Sequence, residues 1–319
     1  MELKKVLLIG GGGFVGGWVA SRLSERGIRV IVPTRRRERN KLSITLPTVY
    51  VVEADVHDER MLASLMEGVD AVINLVGILN DSDSAKPYGK RFAAAHVELP
   101  KKIVAAMKQA GVRRLVHMSA LKAAIDAPAA YLRSKADGER VVLAAANELD
   151  VTVLRPSVIF GPGDAFLNTF ATLLKLLPIL PFAGGRARMQ PVYVGDVAHV
   201  VSSSLTDRNT FGQTYELCGP TSYSLRELIA YVGKLTGRRP CIINLPNTLA
   251  YVQASLLNLL PNPPMTPDTL RMMQVDSVTD GRCNYPDWQP RALEAVAPTY
   301  LSPVKLSRRL DAYRSRAGR

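Results

Sequence analysis

The chain has 319 residues, of which 47% are hydrophobic and 22% charged, enough apolar material for one large domain or two unequal ones. No apolar run reaches the ~18 to 20 residues of a membrane span, and no C-x-x-C spacing indicates a zinc site or a disulfide framework. The formal charge of +13 favours nucleotides, anionic substrates, acidic partners or anionic lipid surfaces, whereas no recognition-helix, zinc-finger or aromatic-basic pattern indicates nucleic acid. We predict core thiols at Cys218, Cys241 and Cys283 and no metal site; because no secretory segment precedes the first strand, we expect a cytoplasmic protein.

The stretch VLLIGGGGFVGGWVA, from Val6 to Ala20, joins four apolar residues to a glycine cluster and a helical pattern. Gly10, Gly13 and Gly16 keep the spacing G-x-x-G-x-x-G, in which the first glycine turns the chain out of a strand, the second approaches a pyrophosphate and the third brings the helix close to the sheet. This strand-loop-helix context favours a dinucleotide-binding loop over an unrelated glycine-rich turn. The expected cofactor contacts here are Gly10, Gly13, Phe14, Val15 and Gly16.

The second predicted strand, IRVIVPT, runs into Thr34, Arg35 and Arg36 and ends on no acidic residue. In dinucleotide-binding folds this position faces the adenosine ribose, where a carboxylate selects the 2′-hydroxyl of NAD and an arginine accommodates the 2′-phosphate of NADP. Guanidinium groups bind phosphate bidentately, although a run of arginines in a loop is often only a solvated charge cluster. We therefore favour NADP(H), with NAD(H) as the alternative.

The next two strands carry further predicted cofactor contacts. The segment VYVVEADVHD places Asp55 and Val56 at the adenine edge, with a satisfied loop aspartate as the alternative reading. The segment DAVINLVGIL places its strand end, Asn74 with Leu75, Val76 and Gly77, beneath the nicotinamide ribose. Because these strands lack polar alternation and are separated by helices, they predict an α/β fold with a doubly wound parallel sheet, the Rossmann arrangement.

A long helix is predicted from about Arg91 to Gly111, bent or interrupted at Pro100. The strand RRLVHMSA follows it. We interpret His96 and His117 as structural side chains, because a lone histidine in a helix or at a strand end is more often structural than catalytic.

The stretch AAYLRSKADGERVVLAAA places Tyr131 and Lys135 four positions apart, on one face of a predicted helix. A phenol titrates near pH ~10, and a neighbouring ammonium favours the phenolate. Tyr131 is therefore the predicted general acid or base, and Lys135 its partner and a ligand of the cofactor ribose. The motif Y-x-x-x-K is weak alone, but it becomes strong after a glycine loop and a fifth strand.

The sixth strand, VTVLRPSVIFGPGD, places Arg155, Pro156, Ser157 and Val158 near the nicotinamide. We divide the chain into a dinucleotide-binding domain, residues 1–160 completed by about 188–215, and a smaller α/β substrate or partner lobe, residues 161–319. Asp196 is expected to cap the helix after PVYV. The basic tail KLSRRLDAYRSRAGR is either an interaction arm or a frayed end.

Over nearly its whole length the chain resembles the extended and atypical short-chain dehydrogenase/reductases, the NAD-dependent epimerase/dehydratase superfamily. The motifs that carry the resemblance are GGGGFVG, AD at Asp55, NLVG, HMSAL, YLRSK and LRPSVIFGPGD. Through VPTRRRERNKL, NLVGIL, LVHMSAL and QPVYVGDVA it is similar to the branch of the nucleotide-binding accessory subunit of respiratory complex I and its bacterial relatives. That resemblance implies tightly bound NADP(H), association with complex I and, in some members, a link to ubiquinone synthesis.

Two positions depart from the pattern of the active superfamily enzymes. A Ser or Thr that holds the substrate oxygen usually follows the fifth strand, and here Ser119 is near while Leu121 occupies the usual position. Ser119 is the third predicted catalytic residue, with a backbone hydrogen bond as its alternative role. Sugar-nucleotide enzymes commonly carry an arginine where Met189 stands, with Arg188 one residue away.

Three functions follow, in this order of preference. The first is an NADP(H)-dependent oxidoreductase for a quinone-related or other small carbonyl substrate; the second is a non-catalytic accessory or assembly protein of respiratory NADH:quinone oxidoreductase; the third is a sugar-nucleotide epimerase or dehydratase. Membrane association, at the inner face of the membrane, is expected to be peripheral and electrostatic, so that salt releases the protein. The substrate, the oligomeric state and the protein partner stay open.

Overall fold

The computed structural model describes residues 3–37, 45–81, 83, 85–177, 179–182, 184–238, 241–258, 263, 265–281 and 285–302. The strands are β1 Lys5–Ile9, β2 Arg29–Thr34, β3 Val49–Glu53, β4 Ala71–Asn74, β5 Arg114–Met118, β6 Asp150–Pro156, β7 Ile159–Phe160, β8 Ile179–Phe182, β9 Arg188–Met189, β10 Val192–Tyr193, β11 Gln213–Leu217, β12 Tyr223–Ser224 and β13 Cys241–Asn244. The α-helices are α1 Phe14–Glu25, α2 Glu59–Leu65, α3 Lys90–Phe92, α4 Leu99–Ala110, α5 Ala130–Ala144, α6 Phe166–Leu176, α7 Val194–Ser204, α8 Leu225–Leu235, α9 Asn247–Leu257, α10 Pro267–Met272, α11 Leu293–Val296 and α12 Pro298–Leu301. A π-helical segment, Ala93–Glu98, joins α3 to α4, and a 3-10 helix spans Arg208–Thr210.

Seven strands form one parallel sheet in the order β11-β6-β5-β4-β1-β2-β3. Every residue of β4 and of β5 is buried, because helices cover both faces of the sheet. The predicted doubly wound parallel sheet is confirmed. The strand order reverses between β1 and β4, and in such sheets ligands bind at this switch point, beyond the carboxyl ends of the strands.

The two faces of the sheet have separate apolar layers. On one face, α1 packs with α7 through Val19, Leu23 and Val201. On the other, α2 and α4 pack through side chains such as Leu62 and Met107. Both layers are close to the strands that carry the predicted site, so they hold the carboxyl ends of β1 and β4 in place.

A further apolar cluster belongs to the C-terminal lobe, where α6 and α8 pack together with Phe182 of β8 and Ala250 of α9. In this lobe β8 pairs in parallel with β13, and β9 pairs antiparallel with β12. The division of the chain near residue 160 stays a prediction, although β11 lies at the edge of the large sheet beside β6.

The helix predicted around Pro100 changes its hydrogen bonding just before the proline. Residues Ala93–Glu98 are π-helical and Leu99 begins α4, with Pro100 in the first turn, where a missing N–H costs nothing. The π segment brings the backbone of His96 against α5, since a Cβ on Gly138 would overlap the carbonyl oxygen of His96. The interruption therefore lies where the π segment and α5 are in close backbone contact.

Two smaller expectations are wrong. Cys241 is exposed, because it lies on the outward face of β13, whereas Cys218 is buried as predicted; Cys283 and the basic tail lie outside the described residues. Asp196 does not cap α7: the N-cap is Tyr193, and the Asp196 carboxylate instead accepts from the backbone N–H of Arg291 at 2.7 Å.

Among the helices described here, none has the length and apolar character needed to cross a bilayer.

Candidate dinucleotide site

The glycine loop between β1 and α1 packs against neighbouring backbone. Gly10 has a φ of +87°, which favours glycine, and a Cβ there would lie 3.0 Å from the carbonyl carbon of Leu75. A Cβ on Gly16 would lie 2.5 Å from the Cα of Gly11 and would overlap the carbonyl oxygen of Gly10. The loop and the start of α1 can approach this closely only because both positions lack side chains.

The first turn of α1 offers backbone N–H groups to an anion. Gly13 is the N-cap, it supplies no side-chain cap, and the first turn holds no acidic residue. Helix N-termini of this kind bind phosphate through their amides and the helix dipole. Phe14 and Val15 open the helix and are half-buried, so the predicted contacts in this stretch come together at one anion-binding turn.

A side-chain hydroxyl shapes the turn that follows β2. Thr34 Oγ1 accepts a hydrogen bond from the backbone N–H of Arg36 at 3.3 Å, which turns the chain as it leaves the strand. The side chains of Arg35 and Arg36 are exposed, and among the described residues neither takes part in an ion pair. Both guanidinium groups are therefore available to a phosphate.

The end of β3 lies beside the end of β2. Thr34 pairs with Glu53 in register, so an exposed carboxylate from the neighbouring strand stands next to the position that we expected to be free of acids. Asp55 is exposed and one of its carboxylate oxygens accepts from the N–H of His57 at 3.0 Å, which is the satisfied-loop alternative. Val56 is half-buried against the apolar layer formed by α2 and α4.

The chain leaving β4 passes next to a buried ammonium. Asn74 is buried, accepts from the N–H of Val76 at 3.1 Å, and directs its amide group to His117 Nδ1 at 3.2 Å. Leu75 and Val76 are half-buried and Gly77 is exposed. A Cβ on Gly77 would lie 3.2 Å from Nζ of Lys135, so the predicted ribose segment and the predicted lysine meet.

Lys135 joins the loops that follow β4 and β5. Its Nζ donates to the carbonyl oxygens of Val76 at 3.1 Å and Met118 at 3.0 Å. An ammonium has three N–H donors, so one remains for a ribose hydroxyl. Burial lowers the pKa of Lys135 to about 8, and the charge of Glu139 opposes that shift.

Tyr131 lies one turn before Lys135 on α5, in a pocket of small and aromatic groups. Its ring is half-buried, packs with Ala120 and Leu132, and meets the rings of Phe92 and His96 edge-on, with centroid separations of 6.2 and 5.6 Å. Burial raises the pKa of Tyr131 to about 12. This shift runs opposite to the one expected from Lys135, because burial disfavours the charged phenolate.

Ser119 and Leu121 follow β5 at the same edge of the sheet. The Ser119 hydroxyl is buried without a hydrogen-bond partner among the described residues, so it is not used by the backbone, contrary to the alternative role. Leu121 is buried and only its backbone is polar, donating to the carbonyl oxygen of Pro156 at 2.9 Å. The buried hydroxyl thus stands two residues from the position where the superfamily commonly places one.

The end of β6 is tied to the C-terminal lobe. Pro156 ends the strand, the Ser157 hydroxyl donates to the carbonyl oxygen of Ser277 at 2.9 Å, and the Val158 carbonyl accepts from Val192 at 2.9 Å. Arg155 is held by Glu139, with Nε 2.9 Å from Oε2. These bonds fix Ser157 and Arg155 at the carboxyl end of β6.

The two histidines are buried beside the site. His96 Nε2 accepts from the N–H of Ile78 at 3.0 Å, and its Nδ1 lies 2.8 Å from the Ser134 hydroxyl. Burial, and then the charge of Lys135, lowers the pKa of His96 to about 2 and that of His117 to about 3. Both are neutral at physiological pH, and each has at least one buried hydrogen-bond partner, in line with the structural interpretation.

Sequence reasoning missed Asp268, a residue of α10 that caps α5. The helix has no side-chain cap of its own, and the Asp268 carboxylate accepts from the N–H of Ala130 at 2.7 Å and of Tyr131 at 3.0 Å. The C-terminal lobe therefore fixes the first turn of the helix that carries Tyr131. The two residues are 137 positions apart, and no local pattern links them.

The glycine cradle, the anion-binding turn and the Tyr131–Lys135 helix meet at the switch point of a parallel sheet, which defines a dinucleotide-binding fold of the short-chain dehydrogenase/reductase type. The chain belongs to the NAD dependent epimerase/dehydratase family, whose model matches residues 6–218. Among the described residues, no three His, Cys, Asp or Glu side chains are grouped to hold a metal ion.

Two relatives are similar to the chain in sequence, and one solved structure is similar to it in fold. It is 30% identical to subunit 9 of the NADH dehydrogenase (ubiquinone) 1 alpha subcomplex, mitochondrial, of Mus musculus, over 96% of the chain and 80% of that protein. It is also 30% identical to the Arabidopsis thaliana protein of the same name, over 85% of the chain and 69% of that protein. The structure of DesIV, a dTDP-glucose 4,6-dehydratase from Streptomyces venezuelae with NAD and TYD bound, covers 93% of this chain and 95% of its own at a TM-score of 0.69 and 20% identity, a likeness of fold.

Proposed function

We propose that the chain is an NADP(H)-binding oxidoreductase that reduces a quinone-related or other small carbonyl substrate, with Tyr131 as the proton donor. The observation that carries this proposal is a set of three groups, on α5 and directly after β5, that retain hydrogen-bonding capacity among the described residues. These are the Tyr131 phenol, the remaining N–H of Lys135 and the unpartnered Ser119 hydroxyl. Such a set is what hydride transfer to a carbonyl needs for proton supply and alignment.

The residues present fit a nicotinamide dinucleotide. Side chains at Gly10 and Gly16 would clash with the backbone that forms the loop. The first turn of α1 has no side-chain cap, so its amides are available to a pyrophosphate. Lys135 would hold the nicotinamide ribose, and Val76 and Gly77 would line it. When bound, the cofactor supplies the hydride.

The elevated pKa of Tyr131 bears on its protonation state before the reaction. A phenol with a pKa of about 12 is protonated at neutral pH, which is the state that a proton donor to a carbonyl oxygen needs. Lys135 lies one helical turn from Tyr131 and donates to two carbonyl oxygens. It would position the ribose and stabilise the phenolate that remains after Tyr131 has given up its proton. Asp268 holds the backbone of Tyr131.

The preference for NADP(H) rests on Arg35 and Arg36. Both are exposed at the end of β2, beyond the hydrogen bond that turns the chain at Thr34, and two guanidinium groups can bind a 2′-phosphate. The alternative, NAD(H), rests on Glu53, which lies beside Thr34 in register and would accept from a free 2′-hydroxyl.

A Tyr131→Phe variant tests the catalytic assignment. It should fold and bind NADPH as the wild type does, while the reduction of any quinone or carbonyl found by screening falls by ~10² to 10⁴. Tyr88→Phe is the matched control, because the Tyr88 phenol donates a hydrogen bond to Asp137 at 2.8 Å and does not belong to the three proposed catalytic groups. A Tyr131→Phe enzyme with the wild-type turnover would make Tyr131 a packing residue and overturn the assignment.

A second candidate is a nucleotide-holding accessory or assembly protein of respiratory NADH:quinone oxidoreductase. Two observations favour it: the 30% identity over 96% of the chain to a protein named as a subunit of that complex, and the apolar Leu121 where active enzymes carry a hydroxyl. On this proposal the chain associates with a membrane complex at the inner face of the membrane. Tight NADP(H) with no substrate in a broad screen would favour it over the first candidate.

The sugar-nucleotide alternative has weaker support. Arg188, which would have to replace the usual arginine, is exposed and donates to the Ser222 hydroxyl at 2.7 Å, while Met189 is half-buried against the apolar cluster of the lobe. The fold is shared with a dTDP-glucose dehydratase, but a shared fold does not carry a substrate.

A further inference from the structure

The C-terminal lobe carries a group of exposed apolar side chains on α6, β8, β13 and α9, here called the lobe surface. Of the twelve exposed large hydrophobic side chains of the described residues, seven belong to it: Leu176, Leu177, Ile179, Ile243, Leu249, Val252 and Leu256. Isolated exposed apolar side chains are ordinary, whereas a contiguous group marks an interaction site.

The geometry of the lobe makes these side chains neighbours. Parallel pairing sets Cys241 beside Ile179 and Ile243 beside Pro181, so the outward face of β8–β13 is apolar while Leu180 and Phe182 point into the core. The Gln253 amide on α9 donates to the Pro181 carbonyl at 3.4 Å, which places α9 along the same sheet.

Helix α9 turns one apolar stripe inward and one outward. Ala250 and Ala254 are buried, whereas Leu249, Val252 and Leu256 are 55 to 64% exposed. At 3.6 residues per turn the three exposed side chains lie within about 60° of one another, on the side away from the buried alanines. The helix therefore has the form of an interfacial helix that lies along a surface.

The stretches of chain that supply the lobe surface carry charges of one sign. Residues 165–195 and 228–267, which supply all seven side chains, contain no Asp or Glu. Lys175, Lys234 and Arg238 are exposed at the edge where β8 and β13 begin, and none forms an ion pair with a described residue. Apolar side chains beside unopposed cations complement a bilayer with anionic headgroups.

We propose that the lobe surface docks the protein on an anionic lipid bilayer, with Leu249, Val252 and Leu256 inserted among the headgroups and Lys175, Lys234 and Arg238 against lipid phosphates. This attachment combines the insertion of apolar side chains with electrostatic attraction to lipid phosphates. It differs in this from the purely electrostatic association expected from the net charge. It does not depend on whether Tyr131 catalyses a reaction.

Co-sedimentation of the full chain with phosphatidylcholine/phosphatidylglycerol vesicles tests the proposal. Leu249→Ser/Leu256→Ser should lower the membrane partition constant about tenfold or more, because less apolar surface is buried in the bilayer. Met61→Ser/Ile125→Ser, which changes two exposed apolar side chains elsewhere, should bind as the wild type, and thermal melting should show all variants folded. Lys175→Gln/Lys234→Gln/Arg238→Gln should lose affinity for the anionic vesicles, and for pure phosphatidylcholine it should match the wild type.

High salt separates the two components of binding. The wild type should weaken but remain partly bound in high salt, and the Leu249→Ser/Leu256→Ser variant should be released completely. A wild type that does not bind these vesicles, or an apolar variant that binds like its matched control, would overturn the proposal. So would a wild-type homo-oligomer that this variant converts to monomer without any change in vesicle binding, because the lobe surface would then be a protein interface.

Discussion

Exchanging Gly16 for alanine should damage the nucleotide site, whereas the same exchange at the next residue should not. A Cβ on Gly16 would lie 2.5 Å from the Cα of Gly11, whereas a Cβ on Gly17 would meet nothing within 4 Å. Both residues are in α1, so the gain in helix propensity, about 1 kcal/mol, is common to both. Overpacking against backbone costs about 1 to 3 kcal/mol, so Gly16→Ala should be less stable than Gly17→Ala by that amount.

The larger effect should be on binding. Because backbone cannot rotate out of the way, the loop carrying Gly10 and Gly13 must move away from α1 by about 1 Å to restore ordinary contact, which misaligns amides whose bonds to a charged group are each worth about 1.5 to 3 kcal/mol. NADPH affinity, measured by calorimetry, should fall tenfold or more in Gly16→Ala and stay at the wild-type value in Gly17→Ala. Urea titrations give the two stabilities. Equal NADPH affinity in the two variants would refute the placement of the pyrophosphate at this turn.

The remaining predictions concern cofactor choice and pH. Arg35→Ala/Arg36→Ala should weaken NADPH by about 1 to 3 kcal/mol per lost charge-assisted contact and leave NADH nearly unchanged; equal weakening of both in a binding titration would remove the NADP(H) preference. The free energy of unfolding should fall as the pH is lowered from 6.5, because His117 and His96, with pKa values near 3 and 2 in the folded chain, gain protons mainly in the unfolded chain. The loss of unfolding free energy is about 2 kcal/mol per histidine by pH 5. His117→Gln should make this pH dependence weaker, whereas the exposed His199→Gln should leave it unchanged. Urea midpoints that stay constant across this pH range would contradict the assignment of both histidines as buried and neutral.

Local spacing was enough to predict the fold and to indicate candidate residues for the site. The glycine positions and the Tyr131–Lys135 separation are constraints within one turn or one helix, and the apolar strands are long enough to indicate a covered parallel sheet. These features come from neighbours in sequence, which is why the parallel sheet could be predicted, while the cofactor roles of Gly10, Gly16 and Lys135 stay predictions.

The features that could not be predicted depend on contacts distant in sequence. Asp268 reaches Tyr131 from another lobe, Glu53 reaches Thr34 through strand register, and the high pKa of Tyr131 comes from the packing around it. The apolar stretch at Leu249 was too short for a membrane span, and only the fold of the lobe decides that one side of it faces outward.

Mass spectrometry of the nucleotide released when the purified, undialysed protein is denatured tests the central claim most directly. The predicted result is NADP(H) in near-equal amount with the chain, retained by the wild type and lost from Gly16→Ala. Recovery of NAD(H) would contradict the role given to Arg35 and Arg36. Recovery of no dinucleotide, together with no binding of added NADPH or NADH, would contradict the cofactor site itself.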